Sequence, residues 1–115
     1  MALIVQKYGG PAVADLDRVR ELARRTLRTQ RAGHQPVVVV SAMAGEVSRL
    51  LGLAAALGRS GGREQDVLAG AAGQVAAGLA ALAIQSEGGR ARSFTGRQAG
   101  LLTDSAHGGA RVRTV

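Results

Sequence analysis

Ala2-Leu3-Ile4-Val5-Gln6-Lys7-Tyr8-Gly9-Gly10-Pro11-Ala12-Val13-Ala14 is the stretch on which the reading of this chain turns. Ala2 to Gln6 is a short apolar, β-branched run, the pattern of a buried strand. It runs into Lys7-Tyr8-Gly9-Gly10, then Pro11, and then a long periodic segment that begins near Asp15. A strand that feeds two glycines and a helix start offers bare backbone N–H groups, a positive dipole end and a lysine, a combination suited to phosphate. The same glycines also read as a simple tight turn. They form neither a Walker A loop nor a GxGxxG motif.

Moving outward, Asp15 to Arg31 has helical spacing. Leu16, Val19, Leu22, Ala23 and Leu27 share one face with Thr26, and Arg18, Arg20, Arg24, Arg25, Arg28 and Arg31 take the other positions. Asp17 and Glu21 provide three- and four-residue partners for these arginines, and Gly33 closes the helix. Gln35 to Ser41 follows, with four consecutive valines. A continuous apolar run without polar alternation belongs to a parallel sheet covered on both faces. Strand, helix and strand at this spacing make a βαβ unit, so the fold class is α/β. Ligands in such sheets sit beyond the carboxyl ends of the strands. There Lys7–Gly10 and the small-residue loop Ser41–Gly45 should lie side by side.

Further along, Ser48 to Leu57 reads as a second helix, Gly58 to Gly62 as a flexible link, and Asp66 to Gln85 as a long third helix. Val67 to Ile84 contains eighteen residues without a charge, which meets the length test for a membrane span. Its Ala and Gly content and Gln74 argue instead for a helix buried on all sides. In 115 residues there is little to cover it, which predicts a partner surface, either a second copy or further sequence. Arg90 to Thr95 reads as a third strand and Ala110 to Val115 as a last one. His34 and His107 have no carboxylate or second histidine at ligand spacing in sequence, and no metal site is assigned.

Composition narrows the function classes. One domain is the limit for 115 residues. With 2% aromatics and no Trp, its core must be built from Ala, Val and Leu. The net charge of +7 rests on fourteen arginines and one lysine, but no aromatics are interleaved with them to stack bases, so nucleic-acid binding is not expected. Without cysteine there are no disulfides and no thiolate chemistry. The N-terminus has no signal-peptide pattern, which makes a cytoplasmic location the expectation.

Four segments in register carry a family resemblance. They are Gln6–Gly10, Val37–Glu46 followed by Arg49–Ala54, the helix start Arg63–Leu68, and the run Ala91–Val112. Together they resemble aspartokinase, of the amino-acid kinase family. The resemblance implies a three-layer α/β sandwich with this chain as its N-terminal half, a single truncated domain over residues 1–115 with no ACT domain. It implies transfer of a phosphoryl group from Mg-ATP to the side-chain carboxylate of L-aspartate, with ATP and Mg as cofactors, toward lysine, threonine and methionine. Lys7 matches the family's catalytic, phosphate-neutralising lysine. Gly9 and Gly10 match its phosphate-cradling glycines, with Tyr8 in the same ATP-binding loop, and Ser41 and Ala42 match the loop beside the transferred phosphate. Departures from the family pattern are equally specific. Pro11 and Ala12 replace a Thr/Ser pair, Val47 replaces a substrate-contacting threonine, and Ala71-Ala72-Gly73 stands where the family has TGE, so Gly73 takes the place of a glutamate that grips the substrate. Two readings follow: an aspartokinase-type protein inactive as this chain alone, or a catalytically dead binding or assembly module that self-associates.

Overall fold

A computed structural model describes residues 1–58 and 61–115. β1 (Leu3–Tyr8) and β2 (Gln35–Val40) form a parallel pair in which Leu3 sits opposite Gln35 and Tyr8 opposite Val40. α1 (Leu16–Arg31) connects them. Asp15 caps α1 by accepting a hydrogen bond from the Arg18 amide at 2.9 Å, and Gly33, with a φ of +93°, turns the chain toward β2. The expected βαβ unit is therefore present. β1 runs two residues further than its apolar run, taking Lys7 and Tyr8 into the strand.

α2 (Glu46–Ala56) and α3 (Arg63–Ser86) follow, and both start earlier than the sequence suggests. The expected link Gly58–Gly62 includes Arg59 and Ser60, which lie outside the described residues. α3 packs against α1 and α2, and its buried stripe of Ala72, Ala76, Ala80 and Ile84 repeats every four residues. The core is correspondingly small. Tyr8, Val13, Leu22 and Ala80 form one cluster with Val38 and Val40 against it, and Ala23, Leu27 and Ile84 form a second.

Gly89 ends α3 at a crowded point. A Cβ there would stand 2.5 Å from a Leu27 methyl and 2.9 Å from an Ile84 methyl. The chain that follows, Arg90 to Thr95, is not a strand. Among the described residues no neighbouring backbone pairs with it; Ala91 packs onto the second core cluster, and its carbonyl accepts from the Gln85 side chain at 3.1 Å. The last elements are a small antiparallel pair, β3 (Leu102–Thr103) and β4 (Val112–Thr114). β4 lies inside the expected last strand, and β3 has no counterpart in the sequence reading. His107 also differs from expectation. Its Nδ1 lies 3.4 Å from the Asp66 carboxylate, which accepts from the Gly108 amide as well and so ties the β3–β4 turn to the first turn of α3.

The sheet is covered on one face only. Ile4, Tyr8, Val38 and Val40 face the helices, whereas Leu3, Val5, Val37 and Val39 are 67%, 64%, 45% and 44% exposed. The valine run implies cover on both faces, and among the described residues the second cover is missing. The radius of gyration, 15.7 Å, exceeds the ~13 Å of a compact domain of this size.

Candidate functional site

The carboxyl ends of β1 and β2 lie side by side. Beyond the last paired residues, the Ser41 amide donates to the Tyr8 carbonyl at 3.1 Å, which extends the ladder by one step and sets Ser41 next to Gly9. Lys7 is paired in register with Val39, and its exposed side chain belongs to the open face of the sheet. Parallel register thus brings Lys7 and the Ser41–Gly45 loop to the same edge of the sheet.

Gly9 and Gly10 occupy that edge without a conformational need for glycine. Neither has a positive φ, and a Cβ on either would meet no atom within 4 Å. What glycine leaves there is half-buried backbone with open space where a Cβ would stand, which lets an anion approach closely. Tyr8 points the other way. Its side chain is 6% exposed among Val13, Leu22 and Ala80, so only its backbone belongs to this edge.

The helix termini differ from the sequence expectation. The glycines open onto a four-residue 3-10 turn, Gly10–Val13, with Pro11 in its first positions and the Ala12 amide bonded to the Gly9 carbonyl at 2.9 Å. α1 begins only at Leu16, and the Asp15 carboxylate already occupies its positive end. The dipole of α1 is therefore not available to a ligand at Gly9–Gly10. At the adjoining loop, Gly45 (φ +78°) leads into α2, which begins without a side-chain cap. Glu46 in its first turn pairs with Arg49 at 3.0 Å. That hydrogen bond, with Arg49's charge as a smaller contribution, holds the Glu46 carboxyl below its ordinary value against a raising effect of partial burial.

The remaining candidates are dispersed. Ala42 lies in the Ser41–Gly45 loop and Val47 in the first turn of α2. Gly73 lies in the middle of α3, on the wall of a groove of about 800 Å³ between α3, β2 and residues 90–96. Among the described residues no three His, Cys, Asp or Glu side chains are grouped to hold a metal ion.

A parallel βαβ unit with a lysine and two glycines at its carboxyl edge is an arrangement suited to an anionic ligand. The sequence model of the amino acid kinase family matches residues 2–114, and the chain belongs to that family. The aspartokinase of Mycolicibacterium smegmatis is 48% identical over 113 residues, covering 97% of this chain and 27% of that protein. Aspartokinase 2 of Bacillus subtilis is 40% identical over 116 residues, covering 100% of this chain and 28% of the relative. The crystal structure of aspartate kinase from Synechocystis superposes with a TM-score of 0.68 at 37% identity, over 74% of this chain and 15% of that one. The chain thus spans about a quarter of the length of the curated relatives it matches.

Proposed function

We propose that this chain is the phosphate-facing part of an aspartokinase-type site, taking Mg-ATP as phosphoryl donor and the side-chain carboxylate of L-aspartate as acceptor, and that it is inactive by itself. The observation that carries the reading is the common edge of Lys7, the Gly9–Gly10 backbone with open space at its Cβ positions, and Ser41. In this role the Lys7 ammonium neutralises charge on the phosphoryl oxygens during transfer. The glycine amides and the Ser41 hydroxyl hold those oxygens in place, so the contribution is positioning and electrostatics. The donor set fits the terminal phosphates of the nucleotide. With no carboxylate cluster among the described residues, magnesium would be carried mainly by the phosphates themselves. When bound, Mg-ATP supplies the activated phosphoryl group.

Inactivity of the isolated chain rests on the substrate positions. A threonine-to-valine exchange such as that at Val47 forfeits about 0.5–1.5 kcal/mol, and loss of the charged contact at Gly73 about 1.5–3 kcal/mol. Residues 1–115 alone are expected to form no aspartyl hydroxamate above a Lys7→Ala control in the presence of ATP and hydroxylamine. Mg-ATP binding measured by calorimetry should weaken about 10- to 150-fold in Lys7→Ala, the range for a charge-assisted hydrogen bond. Equal binding by both proteins would refute the phosphate reading.

The assembly-module alternative is favoured by a different observation. Val67, Val75 and Leu82 fall on the side of α3 away from its buried alanines and are 51%, 54% and 62% exposed. α3 is also long and apolar enough to cross a membrane by length and composition. A sedimentation mass that rises with concentration, and falls back in Val75→Lys, is the result this second reading requires.

A further inference from the structure

We infer that residues 91–108 form a strap along α3, fixed at one end and held at the other by a clasp between Asp66 and the His107–Gly108 turn, and that the clasp tightens when His107 takes a proton. The inference does not depend on the phosphate reading, since neither Lys7 nor Ser41 takes part. At the carboxyl end of α3 the strap is anchored twice. The Gln85 side chain donates to the Ala91 carbonyl at 3.1 Å, and Ala91 packs on the cluster of Ala23, Leu27 and Ile84. Asp66 stands near the other end of the helix, about 28 Å away along its axis. Its two carboxylate oxygens accept from the Gly108 amide at 3.1 and 3.0 Å, and the His107 Nδ1 lies 3.4 Å from the second. Between these ends runs the groove of about 800 Å³, to which the strap contributes Arg92, Phe94 and Thr95 and α3 contributes Gly70, Gly73 and Gln74. The clasp therefore sets how firmly the outer wall of this groove is held.

The two ends are held by different forces. Ala91 is fixed by packing, whereas β3 and β4 are exposed along their whole length, so the hold at Asp66 is polar. The turn is shaped in advance for it. The Asp104 carboxylate accepts from the Ala106 and Arg111 amides at 3.1 and 3.3 Å, and Gly108 adopts a φ of +84° that other residues rarely take. Asp66 is the carboxylate beside His107. In the same turn of α3, Arg63 and Glu64 pair with each other at 2.6 Å, and the hairpin's other charges are Asp104, Arg111 and Arg113. A histidine changes charge between about pH 5 and 8. An imidazolium next to a carboxylate gains an attraction that the neutral ring lacks, and with the two side chains 45% and 43% exposed the gain is that of a surface ion pair. The docked strap is favoured at the acid end of this range and loosens toward the alkaline end.

The test reads the protection of the Gly108 amide against hydrogen exchange in the full 115-residue chain, each rate taken relative to its intrinsic value at the same pH. Protection is expected to be about two- to fivefold higher at about pH 5.5 than at about pH 8, the scale of an exposed ion pair. The Leu22 amide, inside α1, should show no such rise. His107→Gln should keep the protection seen at the higher pH and lose the gain on acidification. Asp66→Ala should lower protection at Gly108 about tenfold at both pH values and shift the Phe94 ring resonances. The Gly89 amide, bonded to the Ile84 carbonyl at 2.9 Å, marks the fixed end and should stay protected in that variant. His34→Gln, at a ring whose Nδ1 accepts from the Ala2 amide, should leave the Gly108 response as it was. Protection at Gly108 that is equal at the two pH values, or that rises as much in His107→Gln, overturns the inference. So does an Asp66→Ala chain with Gly108 as protected as before, or one in which Gly89 loses protection together with Gly108.

Discussion

α1 and α3 pack against each other, yet their sequences describe different surroundings. α1 has a buried face, Val19, Leu22, Ala23 and Leu27, and an opposite face of arginines held by Asp17 and Glu21, with Arg20 to Asp17 at 2.7 Å and Arg28 to Glu21 at 3.3 Å. Its boundary with water is written into its own residues. α3 buries an alanine stripe and presents valine and leucine on its other side. The contrast is between a helix whose outer face is built for water and one whose outer face is not. α3 and the open sheet face carry the composition of elements covered on two sides.

The comparison breaks most sharply under truncation of side chains. Leu22, 1% exposed, fills the first core cluster from α1. Leu22→Ala is expected to cost about 2–5 kcal/mol, transfer and cavity together. Leu82→Ala, on the exposed side of α3, should stay within about 0.5 kcal/mol in the chain alone. Urea titrations of the two variants check this, and equal losses would mean that α3 already has both sides covered.

A smaller effect is expected where the two helices meet. Gly89→Ala places a methyl group against Leu27 of α1 and Ile84 of α3. The Leu27 Cδ2 and Ile84 Cγ2 methyls must give way beside the Ile84 carbonyl oxygen, 3.2 Å off, and overpacking of this kind costs about 1–3 kcal/mol. A melting temperature equal to that of the unsubstituted chain would show that the junction between α1 and the end of α3 is looser than its contacts indicate.

How much of this was legible in the sequence follows from which forces are local. α1 and β2 were readable because a 3.6-residue period and a valine run are local patterns. The edge shared by Lys7 and Ser41 then follows from parallel pairing. The end of β1 was hidden because Leu3 and Val5 are as apolar as the inward Ile4, which erases the alternation that Lys7 and Tyr8 continue. α2 and α3 are entered from Gly45 and Gly62, both with positive φ, rather than from a Ser or Asp cap, so no local signal marks their first turns. Arg90–Thr95 has strand-like residues but no backbone partner among the described residues, and β propensity without a partner does not make a strand. The pairing of His107 with Asp66 joins positions far apart in sequence, and no spacing rule reaches it. Asp15 was visible as an acidic residue near a helix start, but its effect, closing the positive end of α1 to a ligand at the glycines, depends on the 3-10 turn that Pro11 begins.

The smallest expected effect concerns α2, which leans on α3 and has no buried residue of its own. Where α1 starts on a capping carboxylate, α2 starts on a bare glycine and depends on Glu46 and its bond to Arg49. The Glu46 carboxyl in the folded chain lies below its ordinary value of 4.5, first because of that hydrogen bond. A lowered folded value means stabilisation that is fully present above pH 4.5 and is lost as pH falls through the lowered value. Carbon-13 shifts of the α2 backbone should therefore move toward coil on acidification through that window, while those of the α1 interior stay helical. Glu46→Gln, which cannot titrate, should remove the transition from α2. If α2 in Glu46→Gln still loses helicity over the same range, its stability comes from the contact with α3 rather than from its first turn. α1 and α2 would then differ in burial alone.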